Sequence, residues 1–505
     1  MTQRRSAIET VLAYHEATKH SVESVRRDAR MLDWTNMPRP WKLYAAPLPE
    51  TPLPTELTRT GASASAALGL AGGVGEGAEL TPARLASVLQ LSAGITKRLR
   101  AGAGHMYFRA AACTGALYHI ELYVIAGALD GLPAGVYHYG AHDNTLRKLR
   151  DGDFRAVVTE AAGLTSAPAA VVAYTSTFWR NAWKYGSRTY RHVFWDCGTV
   201  LANSMAAARG NGLHAGIATR FADATVNDLL DVDGATEAVV TLVGLGQGSE
   251  APSVGAPGPI GLEVVPLSRS PIDYPLIREA HDATALSGPS PLPSLTSGEG
   301  GNQHDAVSES AVVALGERAP MTPGLEDVVL KRGSTRRFSR APIPLAALAT
   351  MIDAAARPTE LDAGSAGEQL NALYVVANAV DGLPQGVYRC RQPGAGLEAV
   401  GERETRALTE HLALDQSLGG DAAANLYFVA DLPTALERLG ARGYRTAHLD
   451  ASIRAGRVYL AAYGLGLGAT GLTFYDDEAT HALGAPPDSA ATFLIAVGRP
   501  QAHPR

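Results

Sequence analysis

Residues 122–139 read LYVIAGALDGLPAGVYHY, and residues 373–390 read LYVVANAVDGLPQGVYRC. Twelve of these 18 aligned positions are identical and occur in the same order. Each copy has the pattern of an apolar strand, a turn at Asp-Gly-Leu-Pro and a returning strand that begins at Gly-Val-Tyr. A coincidental match between two turns does not explain twelve identities in order. We therefore infer an internal duplication of one domain. Two copies are too few to form a solenoid.

Shorter matches extend the duplication. Tyr190-Arg191 with Asp196 recurs as Tyr444-Arg445 with Asp450. The helix-ending run at residues 210–213 likewise recurs at residues 464–467. We predict an N-terminal helical and proline-rich extension (1–78), a first domain (79–286), a flexible linker (287–315) rich in Ser, Gly and Pro, and a second domain (316–505).

Size and composition exclude several classes of protein. The chain has 505 residues, 46% of them hydrophobic and 19% charged, which is too long for one ordinary core. A formal net charge of −6 without a basic stripe argues against a nucleic-acid partner. The absence of a membrane-length apolar run and of a signal peptide predicts a cytoplasmic protein with no membrane partner. Three cysteines, far apart and odd in number, argue against a disulfide framework or a zinc site.

The densest chemistry lies in Trp179–His192, between a predicted buried strand (171–177) and a predicted helix that carries apolar residues at helical spacing. Here Lys184 adjoins Tyr185. A lysine that is shielded by aromatic rings loses its charge more readily, and a phenol can donate or accept a proton. We expect the shielding rings to be those of Trp179, Trp183 and Tyr190. From spacing alone, two solvated side chains on a loop remain the simpler interpretation.

A resemblance to a known family favours a catalytic role for this pair over two solvated side chains. Lys184-Tyr185, followed by the runs at 188–191 and 196–198 and by Asn203, resembles the core motif of the SagB-type azoline dehydrogenases, which are FMN enzymes of the nitroreductase superfamily. The run at 14–21 resembles the N-terminal signature of that family. The resemblance implies that Lys184 and Tyr185 are the catalytic acid/base pair. It also implies an α+β fold of two tandem nitroreductase-like domains, each an antiparallel or mixed sheet flanked by helices, which together form a pseudo-dimer within one chain.

Residues 109–122 resemble the flavin-contacting loop of the family, usually written Arg-x-x-Pro-Ser-x-Gly-Ala-Leu-Tyr-Pro. This chain departs from the motif at three positions, where Ala112 replaces the first proline, Cys113 the serine and His119 the second proline. The resemblance assigns four flavin-contacting residues here, namely Cys113, Thr114, Gly115 and Ala116.

The second half supplies a candidate anchor for the flavin phosphate. The turn at 331–338 places forked guanidinium groups and a hydroxyl close together, which suits a phosphate dianion. Arg332, Ser334 and Arg336 also resemble the phosphate motif Arg-x-Ser-x-Arg of the superfamily. The equivalent turn of the first half keeps only one charge of the three, on Lys97.

The resemblance predicts that each flavin site draws on both halves. The principal site combines the phosphate turn with loop 113–116 and closes with Thr470, Gly471 and Leu472. A mirror-image site would combine Lys97 with residues 365–369 and 214–216. Because the second half has Arg438 and Leu439 where a Lys-Tyr pair should recur, one catalytic centre per chain is the simplest arrangement. Whether one or two flavins bind stays open.

Three functions are compatible with these residues. The first is an FMN-dependent dehydrogenase that oxidises thiazoline or oxazoline rings of a peptide to azoles, with a cyclodehydratase as a partner. The second is an NAD(P)H-dependent nitro- or ene-type reductase of a small molecule, and the third is a non-catalytic scaffold that binds flavin or peptide. We expect no metal site, since His119, His192 and His214 lack ligand spacing. The acidic run 476–478 is predicted to be a solvated turn, and further oligomerisation is compatible with the sequence.

Overall fold

The computed structural model describes residues 6–28, 31–54, 56–101, 104–290, 312–362, 369–391, 396–402 and 404–501. Its helices are α1 Ala7–Ala17, α2 Val22–Arg27, α3 Ala64–Ala67, α4 Pro82–Ala93, α5 Arg155–Ala161, α6 Phe178–Tyr185, α7 Thr189–Gly210, α8 Asp223–Leu230, α9 Pro275–Thr284, α10 Leu325–Lys331, α11 Leu345–Ala356, α12 Arg406–Leu412, α13 Ser417–Asp421, α14 Leu432–Leu439, α15 Arg442–Gly464 and α16 Asp476–Ala482. Among the helices described, none is both long enough and apolar enough to cross a membrane.

The strands form two large sheets and two small ones. They are β1 Glu50–Pro52, β2 Ile95–Ala101, β3 Gly104–Arg109, β4 Ile120–Ala126, β5 Gly135–Gly140, β6 Thr145–Asp151, β7 Ala170–Thr177, β8 Ala215–Ala218, β9 Glu237–Leu245, β10 Val312–Val313, β11 Ile343–Pro344, β12 Asn371–Ala377, β13 Val380–Asp381, β14 Gly386–Cys390, β15 Leu397–Glu402, β16 Ala424–Asp431, β17 Gly468–Leu472 and β18 Ser489–Gly498.

The two large sheets have the same topology, which confirms the predicted duplication. The first has the order β1-β6-β5-β4-β7-β9-β8 and the second β10-β15-β14-β12-β16-β18-β17, with every neighbouring pair antiparallel. The repeated 18-residue stretch forms β4 and β5 in the first half and β12 to β14 in the second. The protein therefore has the predicted α+β class, with two domains that each carry a sheet flanked by helices.

The predicted extension and linker contribute to these sheets. Strand β1, from within residues 1–78, pairs with β6, and α1 packs against α9. Strand β10 lies in the predicted linker and pairs with β15, so the linker prediction is wrong at Val312-Val313. Two apolar β-branched residues gain backbone hydrogen bonds by joining the sheet edge. Residues 291–311 of the predicted linker lie outside the described residues.

The long helices α7 and α15 pack against each other at the centre of the molecule. Nearly every residue of both helices is buried. The contact is close because glycines meet the partner helix: a Cβ added to Gly456 would lie 2.5 Å from Cβ of Ala202. The hydroxyl of Ser452 donates to the carbonyl of Phe194 across this contact at 2.8 Å. The two halves are thus joined by a continuous buried interface.

Reciprocal ion pairs reinforce that interface. Arg188 and Arg191 at the start of α7 bind the Asp476 carboxylate of the second half at 2.9 and 2.6 Å. In the mirror-related arrangement, Arg442 and Arg445 at the start of α15 bind Asp223 of the first half at 2.9 and 2.8 Å. All six side chains are buried. This exchange is the pattern of an isologous two-fold interface, here between two halves of one chain.

Candidate functional site

A cavity of about 870 Å³ lies between the two halves, within the size range of small-molecule sites. Both halves contribute to its wall, as the sequence predicts. Ten of the twelve predicted site residues line it, namely Cys113, Thr114, Gly115, Lys184, Tyr185, Ser334, Arg336, Thr470, Gly471 and Leu472. We call this space the main cavity.

The end of α6 places Lys184 and Tyr185 in the cavity wall. The helix stops at Gly186, whose φ of 56° and ψ of −142° favour a residue without a side chain. The hydroxyl of Tyr14, from the N-terminal extension, donates to the carbonyl of Ser187 at 2.8 Å and fixes the turn that follows. The Tyr185 ring packs edge-on against His192, with 4.6 Å between ring centroids.

The environment shifts the two pKa values in opposite directions. Partial desolvation, with a further contribution from the charge of Arg336, lowers the pKa of Lys184. Burial, followed by the charges of Asp196 and Cys113, raises the pKa of Tyr185. Tyr185 is therefore a neutral phenol near neutral pH, whereas Lys184 releases its proton more readily than a solvated lysine.

The polar atoms of the three aromatic side chains predicted to shield Lys184 bond to other groups. The indole N–H of Trp179 donates to Ser268 Oγ, that of Trp183 donates to the carbonyl of Asp33, and the Tyr190 hydroxyl bonds to Thr284. Lys184 itself is exposed, and its ammonium lies 5.2 Å from the ring centroid of its neighbour Tyr185. The pKa of Lys184 is shifted in the predicted direction, mainly by partial desolvation, and the ring of Tyr185 lies beside the ammonium.

Loop 110–119 is held in a strained conformation by Asp196 of α7. The amide and hydroxyl of Thr114 both donate to Oδ1 of Asp196, at 2.8 and 2.7 Å. Gly115, Ala116 and Tyr118 have φ values of 63°, 56° and 48° in the left-handed region. At Gly115 the requirement is also steric, because an added Cβ would lie 2.7 Å from the Tyr185 hydroxyl.

Two predicted cofactor contacts lie outside the cavity wall. Ala116 belongs to the loop but is not among the residues that line the cavity. The buried Arg332 side chain donates to the carbonyls of Ala110 and Arg109 at 2.6 and 3.0 Å. Its guanidinium is therefore used to clamp the first-half loop to the second half. Arg332 positions the loop in this structure, a role that the phosphate motif did not predict.

Ser334 and Arg336 of the phosphate turn line the cavity. The amide of Thr335 donates to the carbonyl of Ala469 at 2.9 Å, which fastens the turn to β17. Arg336 is exposed and has no hydrogen bond or ion pair with any described residue. Strand β17 lies at the edge of its sheet, and the Tyr459 hydroxyl accepts a hydrogen bond from the amide of Gly471.

The predicted solvated turn at 476–478 is wrong for Asp476. This carboxylate is buried, binds Arg188 and Arg191, and accepts from the amide of His20 at 2.7 Å. It thereby fixes the N-terminal segment, whose Thr18, Lys19 and His20 line the main cavity. The repeat gives a signal for this residue: the run Phe221-Ala222-Asp223 corresponds to 474–476.

The mirror-related cleft is divided by an ion-paired cluster. Thr359 donates to Asp450 as Thr114 donates to Asp196, and Glu360 follows with a φ of 53°, so Glu360 stands in the position of Gly115. Its carboxylate lies 2.8 Å from Arg209 and 2.8 Å from Arg457. Two smaller cavities, of about 270 and 510 Å³, remain on either side of this cluster.

The other components of the mirror cleft are also occupied or displaced. Ile217 of β8, the counterpart of β17, exchanges backbone hydrogen bonds with Glu360 and Asp362 at 3.2 and 3.1 Å. Lys97 lies on β2 with an exposed side chain and lines neither of the two small cavities. Residues 365–368 of the predicted mirror site lie outside the described residues.

Comparison with known proteins finds the same family in both halves of the chain. The Nitroreductase family model matches residues 82–247 and 329–499, well over half of the chain. A nitroreductase-like protein of Methanocaldococcus jannaschii is 30% identical over 161 residues, which are 30% of this chain and 81% of that protein. The crystal structure of a nitroreductase-like protein of Anabaena variabilis is 26% identical with a TM-score of 0.78, and the match covers 99% of this chain and 100% of that one.

The E. coli microcin synthetase McbBCD complex also matches, at 17% identity and a TM-score of 0.32, over 48% of this chain and 94% of that one. A likeness at this TM-score carries no argument about function. The Anabaena structure, by contrast, spans both repeats, so the tandem arrangement is not peculiar to this chain. The duplicated sheets, the shared interface and the family match to each repeat lead to one conclusion: the chain belongs to the nitroreductase family, with two family domains in one polypeptide.

Proposed function

We propose that the protein is an FMN-dependent oxidoreductase with one flavin per chain, bound in the main cavity. One observation carries the proposal: Lys184 and Tyr185 of the first half meet Ser334 and Arg336 of the second half around a single cavity. The mirror cleft has an ion-paired glutamate where the main cavity has Gly115, and this supports a single site.

The residues of the main cavity suit FMN. Arg336 has no partner among the described residues, and an unpaired guanidinium beside a hydroxyl is an apt anchor for a phosphate dianion. Strand β17, which carries Thr470 and Gly471, lines the cavity at the edge of its sheet, where a flat polar ring could lie against it. Arg332 would act indirectly, by holding loop 110–119 against the cavity.

The specific reaction that we propose is the oxidation of thiazoline or oxazoline rings in a peptide to azoles, as in SagB-type dehydrogenases. FMN, when bound, supplies the acceptor for the hydride that leaves the ring. Lys184, whose pKa is lowered by partial desolvation and by Arg336, takes the proton from the ring Cα. Tyr185, whose pKa is raised by burial, stays protonated and donates a hydrogen bond to the substrate.

A second candidate is an NAD(P)H-dependent nitro- or ene-type reductase. The nitroreductase-like relatives from M. jannaschii and A. variabilis favour it. Both candidates use the same flavin and the same cavity, and they differ in the source of the electrons. A cyclodehydratase partner and a cytoplasmic location belong to the first candidate and stay predictions.

The test begins with the purified full-length chain. The flavin is released by denaturation, identified as FMN or FAD by chromatography, and divided by the chain concentration. We expect FMN at about one per chain, and Arg336→Ala should lower that ratio. Recovery of FAD, or failure to bind added FMN, would contradict the proposal. Anaerobic bleaching of the bound flavin by an azoline peptide, but not by NAD(P)H, would then select the first candidate over the second.

A further inference from the structure

Three side chains that are distant in sequence meet at the base of the main cavity. Cys113 Sγ lies 3.1 Å from Asp196 Oδ2, and His119 Nε2 lies 2.8 Å from the same oxygen. All three atoms fall within 4.8 Å of one another. Cys113 and Asp196 line the cavity, whereas His119 is fully buried behind them.

A thiol, an imidazole and a carboxylate form a donor set that suits Zn²⁺. Metal–ligand bonds of about 2.0 to 2.3 Å place tetrahedral ligand atoms roughly 3.3 to 3.6 Å apart, so a small outward movement of these side chains admits the ion. A thiolate and a carboxylate also neutralise its two charges, which removes much of the cost of burying an ion.

The Asp196 carboxylate lacks the cationic partner that most other buried carboxylates have; among the described residues Glu326 also lacks one and accepts instead from the amide of Thr60. No arginine or lysine of the described part of the chain lies within 4 Å of it; its partners are the cysteine, the histidine and Thr114. Four other buried carboxylates have an arginine or lysine within 3 Å, namely those of Glu121, Asp223, Glu237 and Asp476.

The hydrogen bonds that neighbouring groups make with these three side chains also suit a bound metal. His119 Nδ1 lies 2.8 Å from Ser176 Oγ, and a hydroxyl can donate to that nitrogen or accept from it. The imidazole can therefore change tautomer and present a free electron pair at Nε2. The amide of Tyr118 donates to Cys113 Sγ at 3.0 Å, which would stabilise a thiolate. Thr114 orients the carboxylate through Oδ1 and leaves Oδ2 to the metal.

We propose that Cys113 Sγ, His119 Nε2 and Asp196 Oδ2 bind one Zn²⁺ ion, with its remaining coordination position open to the main cavity. Binding releases one proton, from the Cys113 thiol, to solvent, while His119 stays neutral and carries its proton on Nδ1. The site goes beyond the proposed function and does not depend on it. Cys113 and His119 occupy two of the three positions at which loop 109–122 departs from the SagB-type motif, so the departures supply two of the three ligands.

The experiment measures zinc and flavin separately in the full-length chain. The wild type is equilibrated with Zn²⁺ and exchanged into metal-free buffer, and its zinc is counted by mass spectrometry. Affinity is measured by competition with a chromophoric chelator. Cys113→Ser keeps a hydroxyl that can donate to Asp196 and should fold, while Asp196→Asn is the second variant. Cys390→Ser is the matched control, since Cys390 is also partly exposed but lies in the other half.

We expect about one zinc per chain in the wild type and in Cys390→Ser, with a zinc–sulfur distance of about 2.3 Å by X-ray absorption. Cys113→Ser and Asp196→Asn should weaken binding by more than the roughly 10- to 100-fold cost of losing an outer contact. Equal zinc in all four proteins, or no zinc above trace in the wild type, would overturn the site. Zinc and flavin are counted in the same wild-type samples, so failure of FMN to bind while zinc remains would overturn the proposed function alone, and absence of zinc with FMN bound would overturn the zinc site alone.

Discussion

The two clefts between the halves are built from equivalent elements, yet one holds a single large cavity and the other is divided into two smaller ones. In the main cavity, Gly115 leaves room beside Tyr185, and Arg336 is without a partner among the described residues. In the mirror cleft, Glu360 occupies the place of Gly115 and pairs with two arginines, and the β8 edge is bonded to the chain at 360–362. Equivalent elements of the fold therefore do not by themselves decide the shape of each cleft; the residue at the position of Gly115 and its contacts also do.

The largest expected effect is a loss of turnover when the Lys-Tyr pair of the main cavity is changed. Lys184→Ala and Tyr185→Phe should each lower turnover by about 10²- to 10⁴-fold and leave FMN content unchanged, because both groups are proposed to handle a proton and not to hold the cofactor. Wild-type turnover should rise as pH passes upward through the lowered pKa of Lys184, and Lys184→Ala should lack this rise. Steady-state rates and released FMN are the measurements.

The matched control lies at the equivalent position of the second half. Arg438→Ala removes a charge from α14, where the repeat has no Lys-Tyr pair, and should leave the rate unchanged. An equal loss of rate in Arg438→Ala, or full activity in both first-half variants, would show that the comparison between the clefts is wrong.

The next effect concerns the ion pairs that both clefts share. Asp223→Asn and Asp476→Asn each leave two buried arginines without their carboxylate, and we expect a loss of about 3–5 kcal/mol in the free energy of unfolding. Only Asp476 also holds the N-terminal segment against the main cavity, so Asp476→Asn should lose FMN and Asp223→Asn should retain it. Denaturant unfolding and flavin content together give the result; similar flavin loss in both would contradict the assignment.

Low pH should destabilise the fold by protonating the same buried carboxylates. Burial tends to raise the pKa of Asp223, but Arg445 and Arg442 outweigh it and lower the pKa to about 2. A carboxyl group with a depressed pKa stabilises the fold above its unfolded pKa, near 4, and this stabilisation is lost as pH falls towards 2. The wild-type free energy of unfolding should drop across that range, and more steeply than that of Asp223→Asn.

The smallest expected effect compares the phosphate anchors. Arg336→Ala should weaken FMN binding by about 10- to 150-fold, equivalent to the roughly 1.5–3 kcal/mol of a charge-assisted hydrogen bond. Lys97→Ala should leave binding unchanged, because Lys97 is exposed on β2 and lines neither cavity of the mirror cleft. Titration of flavin-free protein with FMN measures both. Equal losses would indicate two equivalent sites.

Motifs that act through local geometry could be predicted from the sequence. The repeated strand-turn-strand stretch leads to two matching sheets, and the Lys-Tyr pair and the phosphate turn lie on one cavity because each sits at a fixed place in a repeated domain. Residues whose roles depend on distant partners could not. Arg332 clamps Ala110 across 222 positions of sequence, and Glu360 pairs with Arg209 across 151. Spacing along the chain contains no record of such contacts.

The cluster of Cys113, His119 and Asp196 shows the same limit. The sequence indicates no metal site because ligand spacing is judged along the chain, whereas these residues meet only when loop 110–119 folds back onto α7. Asp476 could have been found, since its counterpart Asp223 follows a phenylalanine at the same offset in the first repeat. The charge of the acidic run predicts a solvated turn, whereas the repeat aligns Asp476 with Asp223.

The ion-paired glutamate of the mirror cleft shows what a fused chain permits and a dimer of identical subunits does not. In a dimer of identical subunits, one gene encodes both clefts, so a mutation that closes one closes the other and abolishes any activity that resides there. Fusion of the two copies separates their fates: Glu360 occurs once, and its pairing with Arg209 and Arg457 leaves Gly115 untouched. A fused chain can therefore place ion-paired residues at one junction between the halves while the other cleft keeps its glycine and its open cavity.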